Sequence, residues 1–282
     1  MRAESILFLI TLVLYFAVTV LSFLYIACKK PALEKLATRV QLAALVVHTA
    51  AIVLRGILMG RLPMANQYEF SSAFAWALCL VSLIFLRKFR FPVLGAFASP
   101  VTLLLALYAG LQKLNELKVI AANGVDSIRN LMPALRSSWL GIHVSTVIVA
   151  YGAFGVSFVL SILFLVRDRM QKDGFWDAHI PQKEKLDVIS YRCVSLGMMF
   201  LTVTINIGGI WAESAWGSYW SWDPKETWAL VTWMIYLLYL HLRIRKGWNG
   251  KTAAIFGAVG FVCVLFTYIG VNTLLPGLHS YK

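Results

Sequence analysis

Five histidines, at positions 48, 143, 179, 241 and 279, are the side chains in this sequence best suited to bind a transition metal. Neutral imidazole offers a ring-nitrogen lone pair and is the commonest axial ligand to a porphyrin iron. His48, His143, His241 and His279 lie in or beside long apolar runs. An ionisable group is costly to place there and marks a functional position unless packing accounts for it. His179 sits in the charged stretch between Asp173 and Asp187 and reads as a solvated surface residue.

A second concentration of chemistry is the segment Trp211-Ala-Glu-Ser-Ala-Trp216-Gly217-Ser-Tyr219-Trp220-Ser-Trp222-Asp223-Pro224-Lys225-Glu226-Thr-Trp228, which holds five of the ten tryptophans. Trp and Tyr collect at membrane interfaces simply because they are amphipathic. That account suffices for one or two of them. It does not explain tight spacing together with Asp223, Lys225, Glu226, a glycine and a proline. The alternative is a flat apolar platform on which a planar macrocycle stacks, at centroid separations of about 4.5–7 Å. Trp216, Tyr219, Trp220, Trp222 and Trp228 would form it, and Gly217 would let backbone approach a ligand closely. Asp223 and Pro224 have the residue types of an N-cap and first helical position. Lys225 pairs either with an acidic group of a ligand or with Glu226.

The elements that must position these residues follow from composition. The chain has 282 residues, 60% hydrophobic and only 14% charged, with mean hydropathy +0.74. Average soluble domains are about 45–50% apolar and about 25% charged. A soluble enzyme is excluded, because it could not hide this much apolar surface. Disorder is excluded too, since it needs low hydrophobicity. The class is an all-α polytopic membrane protein. Eight runs are long enough to span: roughly 5–27, 40–60, 70–86, 93–111, 139–166, 189–210, 228–244 and 252–274. The first is too long, and lacks the cleavage site, for a signal peptide. No internal repeat interrupts the pattern, so a single integral membrane domain over residues 1–282 is expected, with 211–228 as its distinctive loop and 112–138 as a second, polar one.

The formal net charge of +13 suggests nucleic acid on a soluble protein. Here the distribution explains it. Seventeen of the 26 Lys and Arg fall in one set of alternate loops, which makes that set cytoplasmic. Both termini then face the outer or lumenal side, as do the loops 61–70, 112–138 and 211–227. Cys28, Cys79, Cys193 and Cys263 form no CxxC pair and read as packing residues.

This topology brings His143, near the outer end of the fifth span, and His279, just past the eighth, to the same face as the tryptophan-rich loop. Two imidazoles on opposite faces of a porphyrin would give a six-coordinate iron. His48 and His241 fall in the inner halves of the second and seventh spans, roughly 13 Å and 3 Å from the inner ends at 1.5 Å per residue. They are candidates for a second, internal site; packing and snorkelling are the alternatives. Arg55, near the outer end of the second span, snorkels or pairs with a propionate of a bound porphyrin.

The string Trp216-Gly217-x-Tyr219-Trp220-x-Trp222-Asp223-Pro224-Lys225-Glu226-Thr-Trp228 resembles the WWD signature of haem-handling proteins of cytochrome c maturation, most closely the CcsA/ResC type of system II. Tyr239-Leu-His241-Leu-Arg243 and Gly277-Leu-His279-Ser-Tyr281 resemble that family too, and Pro63-Met-Ala-Asn66-Gln-Tyr68-Glu69 does so faintly. The resemblance implies that haem b is translocated or presented at the outer face for attachment to the CxxCH thiols of apocytochrome c. It implies that His143 and His279 ligate an external haem, and it supports His241 in an internal one; His48 rests on position alone. It further implies a CcsB/ResB-type membrane partner, membership of a haem lyase complex, and a plasma or thylakoid membrane. This chain has no CxxC, so a separate thiol-reducing protein is expected. The competing readings are a b-type electron-transfer protein with permanent haems and an exporter of another amphipathic anion.

Overall fold

In lipid, a spanning helix gains nothing by burying apolar side chains against its neighbours, so its buried stripe is where polar and small residues collect. The first helix shows this plainly. In a computed structural model describing residues 2–89, 93–129, 135, 137–169, 180–275 and 277, α1 (Arg2–Cys28) buries Glu4, Phe8, Thr11, Tyr15, Val18, Ser22 and Tyr25. The spacing alternates four and three, a single seam on a 3.5-residue repeat. The opposite side of α1 is Ile6, Leu9, Val13 and Phe16, all exposed from the protein. Among the described residues eight helices are long and apolar enough to cross a membrane, as the sequence predicts. The molecule is an integral membrane protein.

The chain divides into two compact units, Met1–Met132 and Pro133–Lys282. The first contains α1, α2 (Pro31–Met59), α3 (Gln67–Phe89), α4 (Val93–Asn123) and the short α5 (Asp126–Arg129). Within it α1 packs on α2 and α4, and α3 on α4 and α2. The helix α4 continues twelve residues past its expected end, so the first part of the 112–138 loop is helical. Lys113 and Glu116 on that extension are buried, and they could not be if the segment were a solvated loop.

The second unit contains α6 (Ser138–Asp168), α7 (Lys183–Trp216), α8 (Pro224–Lys246), α9 (Gly250–Leu265), a π-helical turn (Phe266–Gly270) and α10 (Val271–Leu274). Its centre is α6, buried chiefly between Val144 and Phe164 and packed on α7 and α9. Small residues allow this closeness. Gly197 receives the ring of Phe154, and Gly257 faces Ser161. Phe154 in turn stacks on Tyr236 of α8 at 3.9 Å. At the opposite end from the tryptophan segment, Asp187 of α7 takes Arg243 of α8 and the Gly250 N–H of α9, joining three helices.

Candidate functional site

His143 lies in the second turn of α6, whose start is fixed by Ser137, an N-cap accepting from the Trp139 N–H. Its Nδ1 is 3.0 Å from the main-chain oxygen of Thr204 on α7. A carbonyl only accepts, so Nδ1 carries the proton and Nε2 is the nitrogen with the lone pair. The ring can lie this close because residue 208 is glycine: a Cβ there would be 2.7 Å from Cε1 and 2.8 Å from Nδ1 of His143. Thr204 is held in turn, donating from Oγ1 to Thr146 at 2.9 Å, while Thr146 donates to the His143 carbonyl at 2.7 Å. Trp211 stacks on the imidazole at 6.1 Å and 19° and is itself 1% exposed. Trp216 packs edge-on against Trp211 at 4.7 Å.

The tryptophan-rich segment begins inside a helix. The expected loop of 211–227 shrinks to 217–223, because α7 runs on to Trp216 and stops at Gly217, whose φ of 74° and N–H to Glu213 oxygen make it the C-cap. Glycine is needed there for its left-handed conformation. Tyr219 then folds back over Gly209, its hydroxyl donating to the Asn206 oxygen at 3.3 Å. Trp222 has φ of 59° and is 68% exposed. That conformation costs a residue with a Cβ on the order of 1–3 kcal/mol unless its surroundings enforce it. Glu226 enforces it: its Oε2 accepts from the N–H of Ser221 at 2.8 Å and of Asp223 at 3.2 Å, on either side of Trp222. Asp223 accepts from the Lys225 N–H and completes a capping box with Pro224 at the first turn of α8, as its residue type predicts. The motif's carboxylates therefore hold the backbone so that the Trp222 indole points outward, edge-on to Trp220 at 5.7 Å. Trp228 packs on Phe266 at 4.3 Å. Lys225 does not pair with Glu226; its Nζ donates to Asn272 Oδ1.

His279 lies outside the described residues, as does His179. Two positions before His279, however, Gly277 meets the loop: a Cβ added there would collide with Asp223 Oδ1. His241 is exposed on α8, five residues before the helix ends. His48 is fully buried, at 0% exposure, and both its nitrogens are engaged. Nδ1 meets the Tyr15 hydroxyl and Nε2 the Ser72 hydroxyl, each at 2.8 Å.

Arg55 does not snorkel. It is 1% exposed and pairs with Glu116 through both terminal nitrogens, at 2.9 and 2.6 Å, and with Glu69 through Nε at 2.9 Å. Lys113 bridges Glu116 and Glu4, and Tyr68 donates to Glu4. Arg61 also binds Glu69, and Asn66 caps α3 through the Glu69 N–H while donating to Glu116. The Pro63–Glu69 stretch is thus the rim of a charge-balanced buried network. Sequence reasoning overlooked this network because its partners lie up to 109 positions apart. It also overlooked Thr204, Gly208 and Trp211 as the support of His143. The available signal was the Gly208-Gly209 pair one turn before Trp211, a place where something must lie against bare helix.

A family model described as cytochrome c assembly protein matches residues 64–279. The chain is 40% identical over 259 residues to a cytochrome c biogenesis protein CcsA of Synechococcus sp. (strain CC9605), covering 83% of each. It is 41% identical over 230 residues to a CcsA of Chlamydomonas reinhardtii, covering 79% of this chain and 61% of that one. Among solved structures, the cytochrome c haem lyase CcmF superposes with a TM-score of 0.68 at 15% identity, over 94% of this chain and 46% of CcmF. The chain thus spans under half of CcmF, and that likeness concerns the fold. Residue match and helical architecture agree with the WWD resemblance: the chain belongs to the cytochrome c assembly protein family.

Proposed function

We propose that this membrane protein acts in cytochrome c maturation by holding haem b at the tryptophan-rich segment, on the outer or lumenal side, and presenting it to an apocytochrome c. The observation that carries this reading is the Nδ1 bond from His143 to Thr204. It sets the tautomer and fixes the ring plane, as second-shell carbonyls do for metal-bound imidazoles. The Gly208 cradle gives the ring its seat. An exposed indole at Trp222, held in a strained conformation by Glu226, suits a surface meant to receive a flat apolar ligand. Gly277 lies against Asp223 only two positions before His279 in sequence, which supports His279 as the second ligand.

In this reading the chain's own groups bind and orient the cargo. Thioether formation adds each CxxCH thiol S–H across a haem vinyl group, with no net redox change. The protein contributes position and the exclusion of water. The chain would serve as one subunit of a haem lyase complex, with a CcsB/ResB-type partner and a separate thiol reductant, in a plasma or thylakoid membrane with both termini outside. His241, exposed on α8, is the proposed internal ligand. His48 we assign to packing, because both its ring nitrogens, one donating and one accepting, are already engaged within its unit.

The test is a pyridine haemochrome assay on the purified full chain, followed by incubation with a reduced CxxCH apocytochrome and the membrane partner. Haem that copurifies and then moves to the apocytochrome supports the reading. Haem that stays stoichiometrically bound identifies an electron relay instead. A folded protein without any haem absorbance points to another cargo.

A further inference from the structure

Both carboxylates of the tryptophan-rich motif are committed to main-chain amides. Asp223 accepts from the Lys225 N–H, and Glu226 accepts from the N–H groups of Ser221 and Asp223. The cation between them is held differently. Lys225 Nζ donates to the amide oxygen of Asn272 at 3.0 Å. Among the described residues no carboxylate lies within ion-pair distance of it.

Asn272 is positioned for this contact. It is buried, and its Nδ2 donates to the Tyr268 oxygen at 2.6 Å, which turns Oδ1 toward Lys225. It lies two residues past the π-helical turn Phe266–Gly270, which Thr267 ties to the Trp228 carbonyl at 3.2 Å. Such turns hold one extra residue, rotate everything beyond them, and are frequent at functional sites. Lys225 is half-buried, and an ammonium has three donors and one full charge, so a single neutral oxygen leaves it donors and charge to offer a ligand. An anion at this position would complete it.

We propose that Lys225, steadied by Asn272, is the carboxylate-binding residue of the platform and takes a propionate of the bound porphyrin. This rests on the reading of the segment as a haem platform. Lys is apt for the task, because its compact charge can swing from the amide to an arriving anion without losing its anchor.

The test is a double-mutant cycle on the full chain in nanodiscs of zwitterionic lipid, titrated with haem and with haem dimethyl ester. Wild type should bind the diacid about tenfold tighter than the ester, the scale of a hydrogen-bonded charge. In Lys225→Gln that preference should collapse toward unity, and in Lys225→Arg it should persist. Equal wild-type binding of diacid and ester overturns the proposal without any variant. So does an undiminished preference in Lys225→Gln. Failure of both porphyrins to bind wild type instead overturns the platform reading on which the proposal stands.

Discussion

The imidazole of His143 lies directly on the backbone of α7, bonded through Nδ1–H to the carbonyl of Thr204 and seated where Gly208 has no side chain. This relationship turns Nε2 away from the α7 backbone.

Replacing Gly208 by alanine puts two effects in opposition. Glycine to alanine inside a helix ordinarily stabilises by about 1 kcal/mol. Here the new Cβ would stand 2.7 Å from Cε1 of His143. Because it would push the ring off its seat, haem affinity should fall at least about tenfold, while the melting temperature falls little or rises. Haem titration and thermal unfolding of one sample check both; a variant with wild-type affinity would show that the seat is unimportant.

His48→Leu should behave in the opposite way. It leaves the buried hydroxyls of Tyr15 and Ser72 without their partner, and each such loss costs about 1–3 kcal/mol. Stability should drop by a few kcal/mol while haem per purified protein stays at the wild-type level. If haem disappears and stability does not change, His48 is a ligand after all.

Arg55→Met removes one partner from a buried network and leaves Lys113 as the cation on Glu116 and Arg61 as the cation on Glu69. Breaking such a pair from one side costs about 3–5 kcal/mol. Thermal unfolding in detergent should show that loss. Adding Glu116→Gln should restore part of it, since fewer buried charges then stand unpaired; strictly additive losses would contradict the ion-pair account.

Gly277→Val should displace the chain just before His279, because its side chain would occupy the place of Asp223 Oδ1. The haem spectrum should then shift in the same direction as in a His279 variant, and partial recovery is expected when Asp223 is replaced by alanine. An unaltered spectrum would mean that this contact does not guide the tail.

The spans and the start of α8 were legible because both are local. Twenty apolar residues declare a helix, and Asp223-Pro224 declares a helix start, which the capping box matches. Non-local events were not legible. Nothing near Arg55 in sequence announces Glu116, which arrives from the unforeseen extension of α4. Likewise Trp211 reads as part of a loop until α7 continues through it, and only then does it face His143. Lys225 has Glu226 as its sequence neighbour, yet side chains one apart on a helix diverge, and Asn272 takes the contact.

In the proposed function, imidazoles 143 and 279 hold one haem at the outer platform. The direct measurement is the absorption spectrum of purified His143→Gly and His279→Gly proteins, each before and after adding free imidazole. The account predicts that each substitution abolishes the six-coordinate spectrum and that imidazole restores it in both, together with cytochrome c yield. An unchanged spectrum and yield in either variant would contradict it.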